Sequence, residues 1–329
     1  MLRLLSSLFK ADVASTPAQA KPLGIDLRTI DGALLMEPGY PRPRWDVIRE
    51  RIKANVAPED VPIAWNEVGL SWLLNLKNHL GEPYSVLQSP NFWLLTARQQ
   101  AGGFSLLRTS EAAGQELTNW LGPIAQKRGH GKHVILDFGA TDHYYRYISY
   151  FSPPGAPLKA SGGVFLRKGY RHIALPPSPA LQSTLTHELT HNRLAHLPSP
   201  TWLSEGLAVT MERRIGGNKF GRLDRELYEK HRRHWTSQSI FDFWTGKSFR
   251  DEDGDVVHLS YNLAEILVDI LVQDFPRPRF IEFVTHASAS DSGRAAADQC
   301  LGINLGDLVS VVLGPGQWDQ NQGTANAHE

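Results

Sequence analysis

The sequence predicts an α+β fold: a small mixed sheet followed by a largely helical second half. Three observations carry this. Apolar residues recur at helical spacing before residue 82, compact β-type runs fill 90–175, and helical stripes return from about 180 onward. Strands grouped ahead of helices, instead of alternating with them, argue against a doubly wound sheet.

In chain order, 10–43 is rich in Pro, Ala and Gly and reads as an irregular arm. Trp45, Ile48 and Ile52 fall at helical spacing. Trp65, Val68, Trp72, Leu73, Leu76 and Leu80 outline a longer helix stopped by Gly81. Strands are expected at 91–96 and 133–138, with a helix over 110–126 marked by Leu117, Trp120, Leu121 and Ile124. The aromatic run 144–151 is expected to be extended. Strands at 162–166 and 171–175 are joined by Lys168-Gly169, which suits a hairpin turn. Beyond 180, Leu181, Leu185 and Leu189 recur every four residues, as do Leu203, Leu207 and Met211. Leu263, Ile266, Leu267, Ile270 and Leu271 form the strongest stripe, and shorter helices are expected at 278–287 and 304–313. This divides the chain into an arm and helical extension (1–82), one functional unit (83–318, strands 90–175 and helices 180–318) and a flexible tail (319–329).

Composition narrows the function. Lys plus Arg and Asp plus Glu number 34 each, so no nucleic-acid or anionic-membrane partner is expected. The single cysteine, Cys300, excludes an intramolecular disulfide and a cysteine-based zinc cluster, and reads as a small buried residue. No run of 18 apolar residues exists, so no membrane span is expected. The apolar start at Met1 is short and ended by Lys10 and Asp12. It reads as a frayed terminus in preference to a signal peptide, and the expected location is the cytoplasm.

The chemistry lies in His187-Glu188-Leu189-Thr190-His191. Histidines at i and i+4 leave one side of a helix and can reach one metal ion. Taking about 100° per residue with Leu185 as zero, Leu181 and Leu189 lie within about 40° of it. His187 and His191 lie at about 200° and 240°. The leucines therefore anchor the helix while both imidazoles face away from the core. The plain alternative is an ordinary helix with two surface histidines. A third ligand is needed. His196 sits five residues after His191, a spacing that fits poorly. Glu205, in Trp202-Leu203-Ser204-Glu205-Gly206-Leu207-Ala208, lies about 200° from Leu203 on its own helix. The alternative for Glu205 is an exposed first-turn glutamate favoured by the helix dipole.

These residues resemble the gluzincin zinc metallopeptidases, and more closely the peptidase MA-like branch, where H-E-x-x-H is followed by W-L-x-E-G-x-A. Ser89-Pro90-Asn91-Phe92 resembles the strand that precedes the catalytic part there, and Ser260-Tyr261-Asn262 the opening of a later helix. The likeness covers roughly 85–315. It implies a thermolysin-like catalytic architecture, one Zn2+ per chain held by His187, His191 and Glu205, and a peptide or protein substrate. It implies Glu188 as the base that takes a proton from the attacking water. Tyr261 would be a donor to the oxyanion, with a boundary packing role as its alternative; His258 and His234 are weaker choices for that task. The strand 162–166 would be an edge that pairs with extended substrate, or else a plain interior strand. One departure matters: thermolysin-like enzymes carry an Asp four residues after the ligand Glu, and here that position is Val209. The rival expectation is a zinc-bearing binding or scaffold protein of the same fold without turnover.

Two further signals are set aside. The basic stretch 222–234 is interleaved with Asp224, Glu226 and Glu229 and reads as a solvated helix face. Asp251 to Asp255 resembles the start of a calcium loop, but position 262 is Asn where the closing Glu belongs, so a polar turn is expected.

Overall fold

Side chains alternate across every strand, and here both faces of the sheet are apolar, so helices must cover it twice. A computed structural model describes residues 22–35, 39–152, 162–216 and 223–319. A 3-10 turn (Leu27–Thr29) leads to a two-stranded ribbon of β1 (Leu34–Leu35) and β2 (Arg42–Pro43). Then come α1 (Trp45–Asn55), α2 (Val61–Leu80), β3 (Ser85–Gln88), β4 (Phe92–Thr96), α3 (Gln100–Leu121), β5 (His133–Asp137), α4 (Thr141–Ile148), β6 (Val164–Leu166) and β7 (His172–Leu175). The second half is helical: α5 (Leu181–Leu194), α6 (Thr201–Gly216), α7 (Arg225–His234), α8 (Ser239–Trp244), α9 (Gly254–Asp274), α10 (Arg277–His286), α11 (Arg294–Ala296), a π-helical turn (Ala297–Leu301) and α12 (Leu305–Leu313). The fold is α+β, as expected.

The five-stranded sheet has the order β3-β4-β5-β7-β6. Its three central strands are parallel, and β3 and β6 run antiparallel at the edges. Phe92, Leu94, Ile135, Ile173 and Leu175 point into one core, shared with α3, α5, α6 and α9. Trp93, Leu95, Val134, Leu136 and Ala174 point into a second, shared with α1, α2 and α4. The helices before residue 82 thus cover the sheet's second face, and the ring of Trp72 meets His172 edge-on at 5.0 Å.

Several expectations are corrected. The described part of the arm is largely irregular, as expected, but it is packed onto the body: Leu27 and Tyr40 are buried, and the amides of Leu23 and Ile25 each donate to the Glu67 carboxylate at 2.8 Å. The run 144–151 is helical instead of extended, forming α4 and a 3-10 turn. Tyr144, Tyr147 and Ile148 stand at i, i+3 and i+4 and are all buried, so helical periodicity overrides the β-preference of tyrosine. The helix expected over 110–126 is α3, which begins ten residues earlier and ends at Leu121. Gly103 permits the early start, since a Cβ there would lie 2.4 Å from Leu87 Cδ1. Edge strand β3, with its mixed Ser-Val-Leu-Gln sequence, had no period to betray it. The expected hairpin is present: β6 and β7 pair antiparallel, and Gly169 takes φ +80° in the turn. The expected frayed start and most of the expected tail lie outside the described residues.

A close helix pair positions the site. Gly206 of α6 lies against α9, where an added Cβ would sit 2.5 Å from the Ala264 carbonyl oxygen and 2.7 Å from Val268 Cγ2. Across the same interface Arg213 pairs with Glu265 at 3.1 Å and with Asp269. Gly206→Ala is therefore expected to destabilise the protein by about 1–3 kcal/mol, because neither backbone can give way. Gly254→Ala, at the open first turn of α9, should be neutral or mildly stabilising. Urea denaturation of both variants checks this, and equal midpoints would show that the helices do not rely on close approach.

Candidate metal centre

Leucine burial orients both helices that meet at the site. Leu185 and Leu189 of α5 are fully buried and Leu181 nearly so, while Leu203, Leu207 and Met211 of α6 are fully buried. The polar faces left over turn toward each other. His187 Nε2 and His191 Nε2 stand 3.0 Å apart. Glu205 Oε2 lies 3.1 Å from the first and 3.2 Å from the second. The three side chains are only 14%, 15% and 18% exposed, so the cluster is recessed yet open on one side.

This donor set fits a metal ion. Three ligand atoms about 3.3 Å apart are what a tetrahedral ion at roughly 2.0–2.2 Å from each requires. The tautomers agree as well. His187 Nδ1 meets Glu212 Oε1 at 2.5 Å, and His191 Nδ1 meets Ser204 Oγ at 3.1 Å. A proton on His187 Nδ1, donated to the carboxylate, leaves Nε2 as a lone pair aimed at the cluster. Two imidazole lone pairs and a carboxylate oxygen in mutual contact repel unless a cation lies among them. Without a metal, a proton serves. Burial opposes charge on His187, but the Glu205 and Glu212 carboxylates override it and raise its pKa to about 10. Burial likewise opposes the charge on Glu205, yet hydrogen bonds from His187 and His191 hold it below the usual carboxylate range. The group His187, His191 and Glu205 can therefore hold a metal ion.

The support behind His187 was not read from the sequence. Glu212 binds both His187 and Ser183 Oγ, contacts that the aliphatic side chain of Val209 cannot make. Glu212 stands at i+7 from Glu205 and Ser183 at i−4 from His187, so each shares a face with its ligand. That spacing was the available signal. His196 is not among the donors: its ring lies beyond the end of α5, and its Nε2 has no partner among the described residues.

Glu188 stands beside the ligands without joining them. Its Oε2 accepts a 2.6 Å hydrogen bond from the Phe165 amide of β6, which is an edge strand and not an interior one. Burial raises the Glu188 pKa, and the neighbouring His187 and His191 pull it back. Tyr261 reaches the site from α9, its ring centroid 6.2 Å from that of His187. Burial and then the Glu205 and Glu188 charges push its phenol upward. His258 is exposed, and His234 packs on Trp235 at 4.4 Å. The solvated-face reading of the basic stretch needs one correction: His231 is fully buried, accepts from Trp235 Nε1 at 2.8 Å, and so donates through Nε2 to Asn262 Oδ1. The acidic run 251–255 is a turn whose Asp253 caps α9.

Compared with protein-family models and with curated protein sequences, the chain matches none. Among the described residues no single helix is long and apolar enough to cross a membrane.

Elemental analysis of purified protein is expected to find about one divalent ion per chain. Glu205→Ala should lose most of it and His196→Ala none. Glu212→Gln should bind metal roughly 10- to 100-fold more weakly, as loss of such a buttress does elsewhere. If His196→Ala and Glu205→Ala behave the other way round, the ligand set is wrong.

Proposed function

We propose that the protein is a zinc-dependent peptidase of the gluzincin type. The observation that carries this reading is the place of Glu188: adjacent to a His-His-Glu donor set, outside it, and fastened to an edge strand. Two imidazoles and one carboxylate suit zinc, and three protein ligands leave a position open. When bound, zinc supplies a Lewis acid that polarises a carbonyl and makes water more acidic.

The chain's own residues do the rest. An extended peptide is taken up alongside β6, the edge strand of the sheet. The Phe165 N–H binds one oxygen of Glu188 and so anchors the carboxylate from outside the donor set. That carboxylate removes a proton from the attacking water. The water oxygen bonds to the scissile carbonyl carbon, the C–N bond breaks, and Glu188 returns the proton to the leaving nitrogen. Tyr261 donates from its phenol to the oxygen that gathers negative charge. Its raised pKa keeps it a donor at neutral pH.

Glu188→Gln keeps the size and removes the base. It is expected to retain metal and thermal stability but to lose cleavage of a diverse peptide library by orders of magnitude, read by mass spectrometry. A scaffold protein gives a different result: both forms bind zinc and neither cleaves. Tyr261→Phe should lower turnover about 10²-fold with metal content unchanged. Unaltered turnover would reduce Tyr261 to packing.

A further inference from the structure

A second site lies on another side of α5. The loop ahead of β5 reads Lys127-Arg128-Gly129-His130-Gly131-Lys132, a dense basic run in a chain whose total charges balance at 34 each. It borders a cavity of about 320 Å³ that also takes in Asn192, Arg171 and Arg49. Asn192 lies about 100° round the helix from His191. The loop is held in place: Gly131 at φ +72° leaves only 3.1 Å between an added Cβ and the Trp65 backbone, and Tyr170 Oη donates to the Lys132 carbonyl at 2.7 Å.

Two independent features point to a ligand. The first is charge without counter-charge. The lining includes no carboxylate, and the side chains of Arg49, Lys127, Arg128 and Arg171 make no hydrogen bond or ion pair among the described residues. Glu111, whose charge acts on Lys127 and Lys132, already accepts from Ser89 and Asn91 at 2.7–2.9 Å. Burial, then Arg193 and Lys132, hold the Lys127 ammonium below its usual range.

The second feature is unpartnered buried polar atoms. His133 and Asn192 are 8% and 6% exposed, line the cavity, and leave His133 Nε2 and Asn192 Nδ2 without a partner; His196 Nε2 is in the same position. Native proteins rarely leave such atoms unsatisfied, because each forfeits its hydrogen bonds to water. Cations near the carboxyl end of α5 also suit that helix end. That accounts for some of the charge but not for the idle buried His133 and Asn192.

We propose that this cavity binds a phosphate-type oxyanion, free or as a small phosphate monoester, with Lys127, Arg128 and Arg171 supplying charge and Asn192 Nδ2 and His133 the buried hydrogen bonds. A dianion matches several uncompensated cations better than a single carboxylate does, and its oxygens accept from both guanidinium forks and the amide. The cavity's volume of about 320 Å³ suits a small ligand.

The test is calorimetric titration of the full metal-loaded chain with inorganic phosphate and with glycerol 3-phosphate, against sodium chloride at matched ionic strength. Saturable one-site binding is expected for at least one, and the tighter of the two identifies the free ion or the ester as the source. Lys127→Met and Arg171→Gln should each weaken it about tenfold or more. Because Lys127 is repelled by its neighbours, Lys127→Met should melt no lower than wild type in chloride; a clear fall would make the cluster a support for α5 and overturn the proposal. Phosphate also ligates metals, so the titration is repeated on Glu205→Ala. Equal affinity keeps the ligand in this cavity, and lost affinity moves it to the metal centre and overturns the proposal. Absence of saturable binding, or full affinity in both Lys127→Met and Arg171→Gln, overturns it as well.

Discussion

The metal centre depends on one constraint: α5 and α6 must each bury a leucine face in the same core. Once Leu185, Leu189, Leu203 and Leu207 are fully out of water, the helices have no rotational freedom left, and their opposite faces are aimed at each other. Each such side chain contributes on the order of 1.5–3 kcal/mol by burial. That is enough to hold the three donor atoms within about 3 Å of one another. Helix α9 completes the arrangement from the far side of α6. Gly206 lets the two backbones touch, and the Arg213 pairings with Glu265 and Asp269 tie their later turns together.

The electrostatics follow from that crowding. His187 is gripped by carboxylates at both ring nitrogens, Glu212 at Nδ1 and Glu205 at Nε2. The Glu212 contact fixes the tautomer and the ring plane; the Glu205 contact is the one a metal would share. Glu188 sits in the same low-dielectric recess but answers to a different element, the edge strand. A carboxylate tied to β6 instead of to the donor set is free to exchange a proton, which is the division of labour that the proposed hydrolysis needs.

Helix α5 also has a second role in the molecule. It carries donors toward α6, while Asn192 at its carboxyl end lines the basic cavity beneath the loop 126–132. The sheet lies between two cores, and α1 and α2 close the face that α5 does not reach. Residues before 82 therefore shape the cavity wall through Trp65 and Arg49.

The α+β class, the two helices that meet at the candidate metal centre and the donors His187, His191 and Glu205 were legible in the sequence alone, because periodicity and spacing within single helices determine which residues share a face. The strands 133–138 and 171–175 were legible too, as short apolar runs buried on both sides. What crosses between elements was not. Glu212 behind His187, the Phe165 amide on Glu188, and the uncompensated cations around His133 and Asn192 arise only when distant segments pack, and no period in the chain encodes their meeting. The helical state of 144–151 belongs to the same group. Tyrosine favours strands locally, and only the sheet face offered to Tyr144, Tyr147 and Ile148 made a helix the better burial. The tertiary structure decided these points for a physical reason: side-chain propensity acts along the chain, whereas desolvation and hydrogen bonding are settled between surfaces.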